Sequence, residues 1–334
     1  MSEPLVIETL DYHTAGEPLR IVTAGLPQIP GDSMLARRRF MMDKLDDYRK
    51  LLMREPRGHA EMYGAVLTGP VSVDGDCGVL FMHNGGYSTM CGHGIIALVT
   101  AAIEQDLFPV RDAGAVRIDT PVGQVVAQVQ LDAHGKVREV SFRNVPSFVL
   151  EPEFSVRVDG RAVAMTIAFG GAFYAYIDAP TYGFDLVPGE AERLIAFGQK
   201  VKAAVAAHYR IEHPEGDEDL NFLYGCIFVK PGQEPGHSRN ACVFADGQLD
   251  RSPTGTGVSG RAAIHWSRGE LALGENLEIE SIIGTRFKVR CLEETQVGGL
   301  RAIVPEVCGS ASLTGRHQFT LDARDVLPQG FELV

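Results

Sequence analysis

Two short stretches hold the residues best suited to chemistry, "MCGHG" (Met90–Gly94) and "DRSPTGTG" (Asp250–Gly257). In the first, the thiol of Cys91 stands directly before Gly92-His93-Gly94 and the apolar run "GIIALVTAAIEQ". A cysteine at a helix N-terminus feels the positive end of the helix dipole and nearby N–H groups, both of which favour thiolate. In the second, Thr254 takes the place of that cysteine before Gly255-Thr256-Gly257 and "SGRAAIHWSRG". The two positions lie 163 residues apart (254 − 91). A glycine-rich turn entering a helix presents backbone N–H groups to an anion. No lysine follows in the Walker position, so a nucleotide phosphate is a poor fit. If the two turns face each other, N–H groups of Gly92, His93, Gly255 and Thr256 converge into a carboxylate clamp. Asp250 would then accept a cationic amine, with His93 assisting. Each residue alone has a blander meaning, a buried thiol or a turn-capping aspartate. Together, clamp, amine acceptor and thiol base describe an enzyme acting at Cα of an α-amino or imino acid.

Short strands should position these turns. "LVIETL", "LRIVTAG", "GAVLTGP", "CGVLFMH", "AVRIDTP", "GQVVAQVQLDA", "VREVSFRNV", "SVRVDG" and "FYAYID" are each bounded by turn residues. Helical periods are few: "SMLARRRFMMDKLDDYRKLLMRE", the run after Gly94, "GEAERLIAFGQKVKAAVAAHY" and "SGRAAIHWSRG". This mixture predicts α+β layers. Shifting "LDYHTAGEPLRIV" by the same 163 residues lands near "IAFGGAFYAYIDA", again strands flanking a Gly/Ala turn. Two halves of one architecture would account for the offset.

At 334 residues and 45% hydrophobic content, the chain has material for two domains. A net charge of −12 argues against nucleic acid or an anionic membrane surface as partner. "MSEPLVIETL" lacks a basic leader and a long apolar run, and no stretch reaches the ~18 apolar residues of a membrane span. Six cysteines without a CxxC pair read as reduced thiols, so the expected location is the cytoplasm. His13 and Glu17 are four apart like helical metal ligands, but Thr14-Ala15-Gly16 reads as a turn and no third ligand follows; no metal is expected. Arg54, Arg57 and His59 could form an anion site but should rather brace their loop with Glu55, Ser252 should shape its turn, and Trp266 should pack within the helix. Lys202 should lie on a solvated helix face. Cys226, Cys242, Cys291 and Cys308 carry no paired motif.

The blocks "DYHTAGEP", "LLMREPRGH", "MCGHG", "GGAFYA" and "DRSPTGTG" resemble, in order and along nearly the whole chain, the proline racemase family. That family also holds hydroxyproline 2-epimerases and trans-3-hydroxy-L-proline dehydratases. The resemblance implies two pseudo-symmetric α/β halves, each a curved sheet or barrel around a central helix as in diaminopimelate epimerase. It also implies a site in the cleft between them, no cofactor and a homodimer. The expected halves are 1–160, completed by a C-terminal strand in 315–334, and 161–314. Cys91 matches the family's first catalytic cysteine, and Gly92, His93, Gly255 and Thr256 its carboxylate-holding turns. Asp250 and His93 match its contacts to the ring nitrogen. Thr254 departs from the pattern, since racemases resemble "SPCGTG" with a second thiol there. Racemisation needs a base and an acid on opposite faces of Cα, and a threonine hydroxyl is too weakly acidic to exchange roles with a thiol. The variant therefore resembles the dehydratase branch. A hydroxyproline epimerase or proline racemase with a water-assisted second face is one alternative, and a non-catalytic imino-acid binding protein is another.

Overall fold

A computed structural model describes residues 5–112, 114–216, 218–232 and 237–333. Strand patterns follow the two-residue period. In "RFKVRC" Phe287, Val289 and Cys291 are buried while Arg286, Lys288 and Arg290 are exposed, so one face meets the core. The described chain divides into two compact units. One holds the residues up to Met90, Gly94–Val140 and those from Ser310 onward; the other holds Cys91–His93 and Ser141–Gly309.

The first unit contains β1 (Leu5–Thr14), β2 (Glu17–Ala24), α1 (Met34–Lys44), α2 (Asp46–Met53), β3 (Tyr63–Thr68), β4 (Cys77–His83) and β5 (Gly86–Tyr87). It continues with α3 (Gly92–Gln105), apart from its first two residues, then β6 (Val116–Thr120) and β7 (Gly123–Leu131). After β8 (Val137–Arg143), which crosses the division, the second unit contains β9 (Ser147–Val158), β10 (Arg161–Phe169), β11 (Phe173–Asp178) and α4 (Ala191–His208). Its remaining elements are β12 (Leu223–Pro231), β13 (His237–Phe244), β14 (Gln248–Leu249), α5 (Gly255–Ser267), β15 (Asn276–Glu280), β16 (Arg286–Val297) and β17 (Leu300–Gly309). The last strand, β18 (Ala311–Leu321), belongs to the first unit and pairs antiparallel with β1.

The same pairing scheme occurs twice. In the first unit β18, β1, β2, β3, β4, β6 and β7 are neighbours in that order, antiparallel except for parallel β2–β3 and β4–β6. In the second, β9, β10, β11, β12, β13, β15 and β16 repeat it, with β11–β12 and β13–β15 parallel. A parallel pair requires a crossover, and helices occupy corresponding crossovers: α1–α2 and α4 in the first crossover of each unit, α3 and α5 in the second crossover of each. The central helices α3 and α5 begin at Gly92 and Gly255, the 163-residue offset read from the sequence. Two similar α/β halves, each built on a central helix, are thus the architecture of this chain. In the second unit β17 joins β16 to β9 and closes a ring of eight described strands. Helix α5 packs against β9, β10, β16 and β17, and is buried from Gly255 to Ile264. A helix covered all round is a core element, and its small residues admit the strands closely.

Several details differ from the sequence reading. The first helical run breaks at Leu45, whose φ of −128° leaves the helical range and separates α1 from α2. The α5 pattern starts at Gly255, four residues before the quoted "SGRAA", because Gly255-Thr256-Gly257 form its first turn. The division falls at Val140/Ser141, and the β9–β10 hairpin lies whole in the second unit. Its Asp159-Gly160 turn has positive φ at both residues, 50° and 80°, as a two-residue hairpin requires. In "GFELV", Phe331 bridges Glu55 and does not extend a long strand. No helix among the described residues is long and apolar enough to cross a membrane.

Candidate active site

Cys91 immediately precedes α3 and Thr254 is the N-cap of α5, so the matched turns place a thiol and a hydroxyl at equivalent helix entries. Cys91 and His93 are each 4% exposed, and the Cys91 Sγ lies 3.2 Å from His93 Nδ1. The imidazole is thus a hydrogen-bond partner of the thiol, a contact the sequence reading did not include.

The backbones of the two turns touch. A Cβ on Gly92 would lie 2.5 Å from the Cα of Gly255, and a Cβ on Gly255 would lie 2.5 Å from the Cα of Gly92. Only glycine at both positions permits that approach. The first N–H groups of a helix have no intrahelical acceptor. The amides of Gly255 and Thr256 donate to no protein acceptor among the described residues. They remain available to an anion, at the positive end of α5.

Asp250 and Thr254 form a closed unit at this entry. The Ser252 N–H donates to Asp250 Oδ1 at 2.7 Å, and the Thr254 hydroxyl donates to Asp250 Oδ2 at 2.7 Å. The Thr254 N–H in turn donates to Ser252 Oγ at 3.0 Å. Thr254 adopts φ 68° and ψ 97°, a conformation costing on the order of 1–3 kcal/mol for a non-glycine residue. These bonds, with the Val258 N–H on the Thr254 carbonyl, hold it there. Threonine is a good N-cap because its oxygen accepts from the first turn, yet Thr254 makes no such bond. Its hydroxyl proton points to Asp250, so it fixes the rotamer of the carboxylate. A carboxylate has about four acceptor sites, and two of those on Asp250 are engaged.

Thr254→Val keeps the branched shape and removes this donor. We expect it to lower stability by about 1–3 kcal/mol and to weaken any function of Asp250, while Thr254→Ser stays near the parent. Thermal unfolding and kcat/KM of both variants check this; equal losses in Val and Ser would exclude a role for the hydroxyl.

A second layer holds the α5 entry. Tyr174 shares a 2.8 Å hydrogen bond with the Thr256 hydroxyl, and the Tyr176 hydroxyl donates to the Gly257 carbonyl at 2.8 Å. Burial pushes both phenols well above their usual range, so they stay protonated. Asn144 Nδ2 donates to the Gly170 carbonyl and to Ser259 Oγ. Tyr174 lies within the quoted "GGAFYA", and its alternation with Tyr176 puts both on one strand face. Nothing in the sequence around Asn144 marked it.

Residues 9–332 match the family model for proline racemase. The chain belongs to the proline racemase family. Within it, a Colwellia psychrerythraea protein named trans-3-hydroxy-L-proline dehydratase is 46% identical over 333 residues, covering 98% of this chain and 93% of the relative. A Burkholderia multivorans protein named 3-hydroxyproline 2-epimerase is 47% identical over 333 residues, with 97% of each covered. The hydroxyproline epimerase of Agrobacterium vitis, solved with trans-4-hydroxy-L-proline bound, has a TM-score of 0.92 at 28% identity, covering 98% of this chain and 96% of that one.

Other residues singled out in this proline racemase family member find different work. The Gly16 N–H donates to His13 Nδ1 at 3.2 Å, so His13 closes the β1–β2 turn. Arg54 and Arg57 pair with Glu332 and Asp325 near the C-terminus and not with Glu55, whose backbone carbonyl receives the Phe331 N–H. Trp266 is 9% exposed, with the Arg301 guanidinium 4.4 Å above its ring. Lys202 is not merely solvated: its ammonium donates to the Ala245 carbonyl, and burial lowers its pKa. Cys226, Cys242 and Cys291 are buried and in no disulfide, and burial pushes the Cys226 thiol up to about 12.

Proposed function

We propose that this enzyme is a trans-3-hydroxy-L-proline dehydratase. The observation that carries the reading is Thr254, a hydroxyl at the helix entry equivalent to that of Cys91, with its proton committed to Asp250. One helix entry has a thiol with an imidazole at hydrogen-bond distance, while the equivalent entry carries a threonine hydroxyl, too weakly acidic to serve as its counterpart. One-base chemistry must finish on one face of the substrate. In trans-3-hydroxy-L-proline both the Cα hydrogen and the 3-hydroxyl lie opposite the carboxylate, so they share a face.

Cys91, as thiolate, takes the Cα proton, and the electron pair of that bond forms the Cα–C3 double bond as the C3–O bond breaks. The proton returns from the thiol, directly or through water, to the departing hydroxyl, which leaves as water. The enamine then tautomerises to Δ1-pyrroline-2-carboxylate. N–H groups of Gly92, His93, Gly255 and Thr256 hold the carboxylate and stabilise charge that develops as Cα is deprotonated. Asp250, with His93, holds the ring ammonium, which acidifies the C–H bond. Thr254 aligns Asp250 and takes no proton. The reading needs no cofactor, and places a small imino acid on a homodimeric cytoplasmic protein. Dehydratase-named relatives such as that of Colwellia support the reaction.

The epimerase-named Burkholderia relative keeps one alternative in view, inversion at Cα of 3-hydroxyproline. Incubation with trans-3-hydroxy-L-proline should yield a cyclic imine trapped by o-aminobenzaldehyde, while trans-4-hydroxy-L-proline and L-proline should show no inversion by polarimetry. Inversion without imine would reject the dehydratase.

A further inference from the structure

The far half of α5 lines a cavity of about 660 Å³ in the second unit, within the range of small-molecule sites. Arg261, His265 and Arg268 all line it. Spaced four and three residues apart, they occupy one side of the helix. Arg261 is only 7% exposed, and burying a guanidinium without a counter-charge is costly. Nevertheless no carboxylate among the described residues lies within ion-pair distance of Arg261 or Arg268.

Its acceptors are neutral. Nη1 donates to Ser238 Oγ at 2.6 Å and Asn240 Oδ1 at 2.8 Å, and Nη2 donates to His265 Nε2 at 3.0 Å. A guanidinium can only donate, so His265 Nε2 accepts, and its Nδ1–H faces Glu270 at 2.7 Å. Burial and the Arg261 charge hold His265 below its usual pKa, in keeping with that neutral tautomer. Three of the five guanidinium N–H donors are used. The Nε–H and one Nη2–H have no acceptor among the described residues. Among the described residues the Arg268 guanidinium makes one hydrogen bond, to Thr166 Oγ1 at 3.2 Å.

Two acidic side chains also line the cavity. Asp178 accepts from the N–H and hydroxyl of Thr181, and Glu153 is solvent-exposed, where its charge is screened. We infer that this cavity is an accessory site for a small oxyanion, a carboxylate or phosphate group held by Arg261 and Arg268. Guanidinium forks suit both groups. The site is built into the fold: Arg261 bonds Asn240, and Asn240 Nδ2 donates to the Pro253 carbonyl, next to Thr254.

The test is calorimetric titration of the intact protein with inorganic phosphate and, separately, malonate. Millimolar or tighter binding of at least one is expected; phosphate alone would indicate a phosphorylated ligand, malonate alone a carboxylic acid. Arg261→Gln could fail to fold, so the deciding variant is Arg268→Glu, at the exposed end of α5. With its unfolding temperature unchanged, it should weaken binding by at least about tenfold. No heat with either probe, or affinity unchanged in Arg268→Glu, would overturn the inference. The second outcome would place the ion elsewhere on the protein, including the carboxylate clamp, and would leave the dehydratase reading standing.

Discussion

Cys91→Ser should lower kcat for trans-3-hydroxy-L-proline by at least about a thousandfold while the protein stays folded. General-base catalysis by a positioned group supplies roughly 10²–10⁴ in rate, and no second base backs up Cys91 in this mechanism. Serine is nearly the same size, so packing at this buried position changes little. What changes is acidity: a hydroxyl beside His93 does not ionise near neutral pH, whereas a thiol at a helix entry does so readily. KM should move far less than kcat, because the clamp and Asp250 remain. Stopped assays of imine formation, alongside binding of L-proline, separate these quantities. Turnover within tenfold of the parent would reassign the base. Loss of binding together with turnover would mean that the thiol holds the substrate.

Much of this site was legible in the sequence, for a physical reason. Gly-X-Gly before a small-residue helix is a local pattern, and its repetition after 163 residues gave the two central helices before any pairing was known. The strands around them were partly legible from alternation. What stayed hidden depends on partners distant in the chain. Asn144 acts on Gly170 and Ser259, neither of which marks it in sequence. Arg54 and Arg57 looked for a neighbour, Glu55, and found Glu332 and Asp325 through the return of the C-terminus. Lys202 kept its helical face but met a loop carbonyl that no helical period reveals. Thr254 is the instructive case. Its type marked a missing thiol, but only the fold shows that its hydroxyl faces Asp250.

Gly255→Ala should be strongly disruptive for a single added methyl. Its Cβ would stand 2.5 Å from the Cα of Gly92, nearer than real Cβ contacts come. Overpacking in a core ordinarily costs about 1–3 kcal/mol, with part of the strain relieved by side-chain rotation. Here the obstacle is backbone, so relief requires one helix entry to move away from the other. We expect a loss at or above the upper end of that range, about 3 kcal/mol or more, read as a lowered unfolding temperature. Alanine favours a helix more than glycine, and Gly255 lies within α5 without a positive φ, so backbone propensity works in the opposite direction. Any destabilisation therefore reports the approach of the two turns. Gly269→Ala, at a left-handed position with open space for the Cβ, is the control: strain from φ 73° without a clash. If Gly255→Ala unfolded at or above the parent temperature, the two glycines would not be in backbone contact. The carboxylate clamp would then lose its geometric basis, because N–H groups of Gly92, His93, Gly255 and Thr256 serve one anion only if the turns meet.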